Sequence, residues 1–176
     1  MKVEVKESQG SYPELRKLPL REVAVELRDT AGNVLGEAHG SYGTLAALRE
    51  YWFVTGFDEL ANHTEKSSPA EVVAYFNEVE VPLAYRGKGY GAVAAQTLVQ
   101  EFRRRGARTV YLWVWPFAVE GEDDPDIEEA TDRLVKFYES LGFELVDDDW
   151  NLADKVVMVR HLEGGSFGGF GRGWRR

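Results

Sequence analysis

The sequence predicts one α/β domain in which short strands and amphipathic helices follow each other along the chain. Its 176 residues are 44% hydrophobic, which suffices for one core. Several stretches alternate apolar and polar residues, as half-buried strands do, and others repeat apolar residues every three or four positions, as helices do. We expect residues 1–163 to form this domain, and residues 164–176, rich in glycine, arginine and aromatic residues, to be a tail outside its core.

The first half of the chain predicts three strands and a helix. "KVEVKE" from Lys2 alternates, and "REVAVELRD" from Arg21 alternates more regularly. The turn residues "DTAGN" then lead into "VLGEAHGSYG", so residues 21–42 are predicted to form a β-hairpin. From Thr44 the apolar period becomes helical, and a polar loop follows before Ala70.

The second half predicts strands separated by helices. "EVVAYFNEVEVPL" is the strongest strand pattern and ends near Pro82, and "YGAVAAQTLVQEFRRRG" has the apolar stripe of a helix that stops at Gly106. "RTVYLWVW" is a further strand. A capping-box pair, Asp126 and Glu129, then opens a helix that ends at Gly142. "FELVDDDW" and "KVVMVRHL" supply two more strands, which makes the order β-α-β-α-β-β.

The composition excludes several kinds of chemistry. There is no cysteine, so disulfides, thiolate metal sites and a cysteine nucleophile are excluded, and three dispersed histidines do not predict a metal site. The net charge is −9 although residues 160–176 hold four arginines and one glutamate. An acidic body disfavours nucleic acid and favours a cationic partner. The chain shows neither a membrane-spanning apolar run nor a signal peptide, so we expect a cytoplasmic protein.

One stretch, "PLAYRGKGYGAVAAQ" at residues 82–96, combines a strand end, a glycine-rich turn and a helix N-terminus. Such a turn is suited to anions, because the first amides of a helix have no intrahelical partner and the helix dipole favours negative charge. The P-loop pattern fails because Lys88 is followed by Gly89 instead of Ser or Thr. The dinucleotide fingerprint matches in glycine spacing only, since "PLAYR" separates the strand from the turn and the expected later acidic residue is missing.

The same stretch resembles the acetyl-coenzyme A signature of the GNAT N-acetyltransferases. Arg86, Gly89 and Gly91 fit its Arg/Gln-x-x-Gly-x-Gly/Ala pattern, and "RLVKFYESLGFELV" resembles the family's second motif. The resemblance covers about residues 71–162, which would be the cofactor-binding half. It implies the GNAT fold, an α/β (α+β) architecture whose central sheet is mixed, mostly antiparallel and six- to seven-stranded, splays at the cofactor site and is flanked by helices.

The resemblance also implies how acetyl-coenzyme A (acetyl-CoA) is held as co-substrate, with no metal. In the family the pyrophosphate lies on the turn, where backbone amides would bind it and Arg86 and Lys88 would add positive charge. The pantetheine arm pairs with the backbone of the central strand, and Thr131 stands where many members have an asparagine that touches this arm. The implied cofactor-binding residues are Val79, Val81, Arg86, Gly87, Lys88, Gly89, Tyr90, Gly91 and Thr131.

Catalysis is expected to use oxygen groups. Tyr138 matches the tyrosine that in many family members protonates the departing thiolate, although an aromatic at helical spacing also suits a core. The amine would attack the thioester directly, after a base has removed a proton from its ammonium form. Glu78 and Glu80, on a strand that otherwise looks buried, are the candidate bases, with Glu78 preferred; solvent-facing carboxylates are the alternative.

The acceptor is predicted only by class. The acidic body favours a cationic primary amine, either a small polyamine- or aminosugar-like amine or the amine of a basic peptide. Trp113 stands where some peptide-acetylating members have glutamate, and "LREYWFVTGF" is a possible acceptor wall. The alternative function is a non-catalytic, coenzyme A-binding sensor or interaction module. The resemblance further suggests a homodimer, and the basic tail is the one feature that hints at nucleic acid.

Overall fold

A computed structural model describes residues 1–9, 18–64, 67–116, 127–146 and 156–162. These residues form one sheet and four α-helices. The strands are β1 Lys2–Gln9, β2 Arg21–Arg28, β3 Val34–Thr44, β4 Val72–Glu80, β5 Thr109–Val114, β6 Glu144–Leu145 and β7 Val156–His161. The helices are α1 Leu45–Thr55, α2 Asp58–His63, α3 Tyr90–Arg104 and α4 Ile127–Ser140. Across these parts of the chain, every helix is too short or too polar to span a membrane.

The sheet has seven strands in the order β1-β2-β3-β4-β5-β7-β6. Adjacent strands are antiparallel except β4 and β5, which are parallel. This confirms the mixed, mostly antiparallel sheet and the hairpin of β2 and β3. The parallel pair is joined through α3, as parallel strands require a crossover connection.

Helices cover both faces of the sheet. On one face, α3 buries Ala95, Leu98 and Phe102 against the apolar side of β2 and β3, and Tyr138 of α4 joins the same core. On the other face, α1 buries Leu45, Leu48 and Trp52 against residues of β4, β5 and β7. Helices α1 and α2 thus lie over the half of the sheet that contains β4, β5 and β7.

The sequence explains where most elements begin and end. Thr44 caps α1 by accepting a hydrogen bond from the Ala47 amide, and Gly56 ends it in a left-handed conformation. One prediction was incomplete: the sequence did not predict α2 as a separate helix, because its six residues are too few to show a helical period, and its last two residues, Asn62 and His63, begin the stretch expected to be a loop. The predicted capping pair begins at Asp126, and the acidic stretches 120–126 and 147–149 and the tail 164–176 likewise lie outside the described residues.

Candidate active site

The two parallel strands separate at one end of the sheet. Pairing between β4 and β5 extends from Val73 opposite Thr109 to Phe76 opposite Leu112. Beyond this point β4 continues to Glu80, paired with β3 alone, while β5 continues to Val114, paired with β7 alone. The opening between them leaves one edge of β4 without a strand partner among the described residues, which is the splay that the resemblance implies.

A β-bulge at Asn77 determines on which face of the sheet the side chains at the end of β4 lie. The register shifts there, because Gly40 of β3 pairs with Phe76 whereas His39 pairs with Glu78. The extra residue reverses the alternation of side chains. Val79 therefore packs on the α3 side together with Phe76, and Glu78 shares the opposite face with His39.

The first cavity at the opening, of about 610 Å³, lies between β4, the turn and α4. It combines apolar and charged residues, and three of its eight lining residues come from the end of β4. It is lined by Glu78, Val79, Glu80, Val81, Arg86, Gly91, Leu134 and Phe137. We call it the donor cavity, because six of these eight residues are among those that the sequence assigns to the donor or to catalysis.

The turn between β4 and α3 presents backbone amides and cations. Gly87 and Gly89 have φ of 73° and 81°, a left-handed conformation that favours glycine. Within the described parts of the chain, the amides of residues 87–92 donate no hydrogen bond. Arg86 Nε donates to the Val81 carbonyl at 3.1 Å, and Lys88 Nζ lies 5.4 Å from the centre of the Tyr85 ring. Both cations are held beside open amides, an arrangement suited to an anion.

Tyr138 is buried in the core beside Phe76, and it is not among the residues that line the donor cavity. Its side chain is 7% exposed, and its ring makes edge contacts with Phe76 and Phe143, both with centroids 5.8 Å away. Burial, followed by the charge of Glu78, raises the pKa of Tyr138 to about 12. The phenol is therefore protonated at neutral pH and can act as a hydrogen-bond donor.

A second cavity, of about 490 Å³, lies on the opposite face of the sheet. Its wall is polar and contains three carboxylates. It is lined by Lys6, Ser8, Glu22, Val23, Ala24, Glu26, His39, Gly40, Ser41, Asn77 and Glu78. Glu26 forms ion pairs with Lys6 and Arg28, and the hydrogen bond from Lys6 contributes most to lowering its pKa. We call this the polar cavity.

Glu78 lines both cavities, so it stands at the boundary between them. Glu80 lines only the donor cavity. The strand is buried from Val73 to Phe76, as the sequence predicts. Its end is exposed at Asn77, Glu78 and Glu80, so the alternative of solvent-facing carboxylates holds.

Aromatic rings border the opening on the α1 side. Trp113, the first residue of β5 beyond the pairing with β4, contacts Phe57 at a centroid distance of 4.7 Å and Trp115 at 6.0 Å. The proposed acceptor wall in "LREYWFVTGF" is wrong for Tyr51 and Trp52, which are 7% and 0% exposed and belong to the core. Phe57 is the aromatic residue of that stretch that reaches Trp113.

Two further residues complete the comparison with the predicted site. Tyr90 opens α3 and its ring packs at 6.4 Å from Tyr85. Thr131 lies half-buried on α4, two turns before Tyr138, and does not line the donor cavity.

Sequence reasoning missed His39, which no motif marks and which only strand pairing brings opposite Glu78.

Comparison with known proteins agrees with this geometry. A scan against models of protein families matches the acetyltransferase (GNAT) family over residues 43–143. Arabidopsis thaliana NAA60, solved in complex with acetyl-CoA, shares the fold with a TM-score of 0.51 at 14% identity, over 82% of this chain and 77% of that one. The structure of SsHAT has a TM-score of 0.50 at 16% identity, over 78% and 71% of the two chains. No curated protein sequence matches the chain significantly.

The fold and the opening at β4 define an acyltransferase of the acetyl-CoA-dependent type. Because the family match spans more than half of the sequence, the chain belongs to the acetyltransferase (GNAT) family. Within the described residues no group of three or more histidines and carboxylates is placed to hold a metal ion.

Proposed function

We propose that the protein transfers the acetyl group of acetyl-CoA to a cationic primary amine by direct attack in a ternary complex. The observation that carries this proposal is the position of Glu78. It is the one residue common to the linings of the donor cavity and the polar cavity, which open on opposite faces of the sheet. A carboxylate at this boundary is suited to meet an ammonium group entering from one side and a thioester from the other.

The donor cavity and the turn would hold acetyl-CoA. Residues 86–91 offer amides and two cations to the pyrophosphate, and the unpaired edge of β4 at Val79 and Val81 offers main-chain groups to the pantetheine arm. Gly91 keeps this approach open, since a Cβ there would lie 3.2 Å from the Val81 side chain. Thr131 lies nearer the N-terminus of α4 than Leu134 does, and it would contact the pantetheine arm only where the arm extends past Leu134.

The polar cavity would hold the acceptor. Its charged lining comprises Glu22, Glu26 and Glu78 against the single cation Lys6, so it favours a positively charged ligand. This matches the small polyamine- or aminosugar-like amine, or the amine of a basic peptide, that the acidic composition predicts.

Two residues act on the reacting groups, Glu78 on the ammonium group of the acceptor and Tyr138 on the sulfur of the donor. Glu78 takes a proton from the ammonium group, which leaves a lone pair for attack on the thioester carbonyl; a C–N bond forms and the C–S bond breaks. Tyr138 directs its hydroxyl at the departing sulfur. Because a phenol of pKa about 12 is a weaker acid than a thiol, we expect its contribution to be a hydrogen bond, with the sulfur's final proton coming from the attacking nitrogen.

The decisive test is a panel of diamines, polyamines, aminosugars and lysine-containing peptides incubated with acetyl-CoA. Release of free thiol and a mass increase of one acetyl group on a cationic amine are the expected results. Absence of both, with acetyl-CoA binding retained in calorimetry, would favour the non-catalytic sensor. Absence of binding as well would overturn the assignment of the donor cavity.

A further inference from the structure

His39 lies directly opposite Glu78 in the ladder between β3 and β4. Directly opposed residues of an antiparallel pair direct their side chains to the same face of the sheet, with Cβ atoms about 5 Å apart. Both residues line the polar cavity, where we place the acceptor. An imidazole therefore stands next to the carboxylate that receives the ammonium group.

A second carboxylate adjoins the same imidazole. Glu37 precedes His39 by two residues on β3 and shares its face. Its Oε2 lies 3.5 Å from His39 Nε2. The His39 side chain is 37% exposed, so it also reaches solvent. The three side chains form a row from the boundary of the two cavities to bulk water.

Charged side chains of the neighbouring strands surround His39. On β4 it faces Glu78, and on β2 it lies opposite Ala24, which is flanked by Glu22 and Glu26. The cations on this side are Lys2 and Lys6 of β1 and Arg28 of β2. Lys6 and Arg28 form ion pairs with Glu26, and Lys2 forms one with Glu4. Carboxylates therefore outnumber cations on the strands packed beside the imidazole.

The chemistry needs a better base than a carboxylate alone. Alkylammonium groups have pKa values near 10, far above that of a carboxylic acid. An imidazole is ordinarily about two pK units more basic than a carboxylate, so its pKa lies closer to that of the ammonium group.

We propose that His39 is a proton-relay residue of the acetyl transfer, an inference that rests on the proposed function. The N–H bond of the acceptor ammonium breaks, and its proton passes to Glu78 and then to the His39 imidazole. The electron pair stays on the amine nitrogen. Glu37 stabilises the imidazolium, which releases the proton to water at its exposed edge and leaves Glu78 anionic for the next turnover.

The experiment compares wild-type protein with His39→Gln at one pH, using acceptor amines whose own pKa values run from about 7 to above 10. We expect kcat/KM to fall about 100-fold for the most basic amines and to be unchanged for amines that are already neutral. Added imidazole should raise the kcat/KM of the His39→Ala variant at least tenfold. The matched control is His161→Gln at the end of β7, for which we expect wild-type rates with every amine.

Each other outcome overturns the relay. An equal loss with every amine, without rescue by imidazole, would assign His39 a packing role. Rates equal to wild type would remove it from the reaction. If the wild-type protein acetylates no amine of the panel, both the proposed function and the relay are wrong. This result differs from that of an active enzyme whose rates do not depend on His39, in which only the relay is wrong.

Discussion

Tyr138 of α4 and Glu78 of β4 lie close enough for the negative charge of the carboxylate to act on the phenol. Burial contributes most to raising the pKa of Tyr138 to about 12, and the negative charge of Glu78 adds to it. Tyr138 comes from α4 and Glu78 from the end of β4 beyond the bulge, so only the tertiary fold brings the two residues together.

The first prediction concerns the Tyr138 hydroxyl. We expect Tyr138→Phe to lower kcat about 10- to 100-fold, the effect of losing one hydrogen bond to a developing charge. The Kd of acetyl-CoA should stay within twofold, because the ring and its contacts with Phe76 and Phe143 remain. Tyr111→Phe removes a hydroxyl from the other core and serves as the control. A Tyr138→Phe variant with an undiminished kcat would remove Tyr138 from the mechanism.

The second prediction concerns alkaline stability. Burial raises the pKa of Tyr111 and Tyr138 to about 12 and that of Tyr75 further, from an ordinary value of 10. A raised pKa means that the folded state holds the proton more tightly, so this stability is complete below pH 10 and is lost as the pH rises towards 12.

Each of Tyr111 and Tyr138 should contribute on the order of 3 kcal/mol that disappears over this interval. Urea unfolding at a series of pH values measures it. The Tyr138→Phe variant should show a shallower decline of the free energy of unfolding above pH 10; a decline identical to that of the wild-type protein would contradict the shift.

The third prediction concerns the cation on the turn. Arg86→Ala should raise KM for acetyl-CoA about tenfold at low salt, equivalent to about 1.4 kcal/mol, and the difference should shrink at high salt because the side chain is exposed. Initial rates at two ionic strengths measure this. Lys2→Ala removes an equal charge from the edge strand β1 and should leave KM unchanged. A salt-independent effect would indicate that Arg86 acts by tying down the Val81 carbonyl instead of by its charge.

Local patterns in the sequence sufficed to predict the described elements other than α2, and the turn. Gly89, Gly91 and Tyr138 lie in short motifs whose conformation depends on near neighbours: a left-handed residue before a helix and an aromatic on a helical stripe. The hairpin of β2 and β3 is equally local. Such features follow from turn chemistry and apolar period, and the structure has all of them.

The polar cavity could not be predicted, because it depends on strand register. Whether Glu78 faces the donor side or the opposite side is decided by the extra residue at Asn77, and a bulge leaves no reliable trace in an alternating pattern. His39 is 39 residues from Glu78 along the chain and meets it only through pairing of β3 with β4. The exposure of Glu80 likewise depends on where β5 separates from β4.

The fourth prediction concerns the glycine beside the bulge. A Cβ at Gly40 would lie 2.5 Å from the Tyr75 carbonyl oxygen and 2.6 Å from Phe102 Cζ, inside a packed core. Gly40→Ala should therefore lower the free energy of unfolding by about 1–3 kcal/mol. Gly36→Ala, in the same strand, meets its nearest atoms only at 3.4 Å or beyond and is the matched control. Equal stability of the two variants in urea unfolding would contradict the close approach at Gly40.

The fifth prediction concerns Glu101, a buried carboxylate of α3 that pairs with Arg105, the residue that also binds Glu7 of β1. Glu101 is 9% exposed and accepts hydrogen bonds from Arg104 at 2.8 Å and from Arg105, whose Nε also donates to Glu7 at 2.9 Å. Burial by itself raises the pKa of Glu101, but the two arginines outweigh it and lower the pKa. The stability that depends on this charge is therefore present above the unfolded-state pKa and is lost as the pH falls through the folded-state value.

We expect Glu101→Gln to cost about 1–3 kcal/mol at neutral pH, because Arg105 loses a charged partner in a site of low exposure. The difference from the wild-type protein should narrow on acidification, as the wild-type carboxylate becomes protonated. The control is Glu129→Gln, which breaks the exposed pair with Arg133 on α4 and should cost less than about 0.5 kcal/mol. Urea unfolding at neutral and acidic pH measures both variants, and a Glu101→Gln cost that does not change with pH would rule out the charge as its origin.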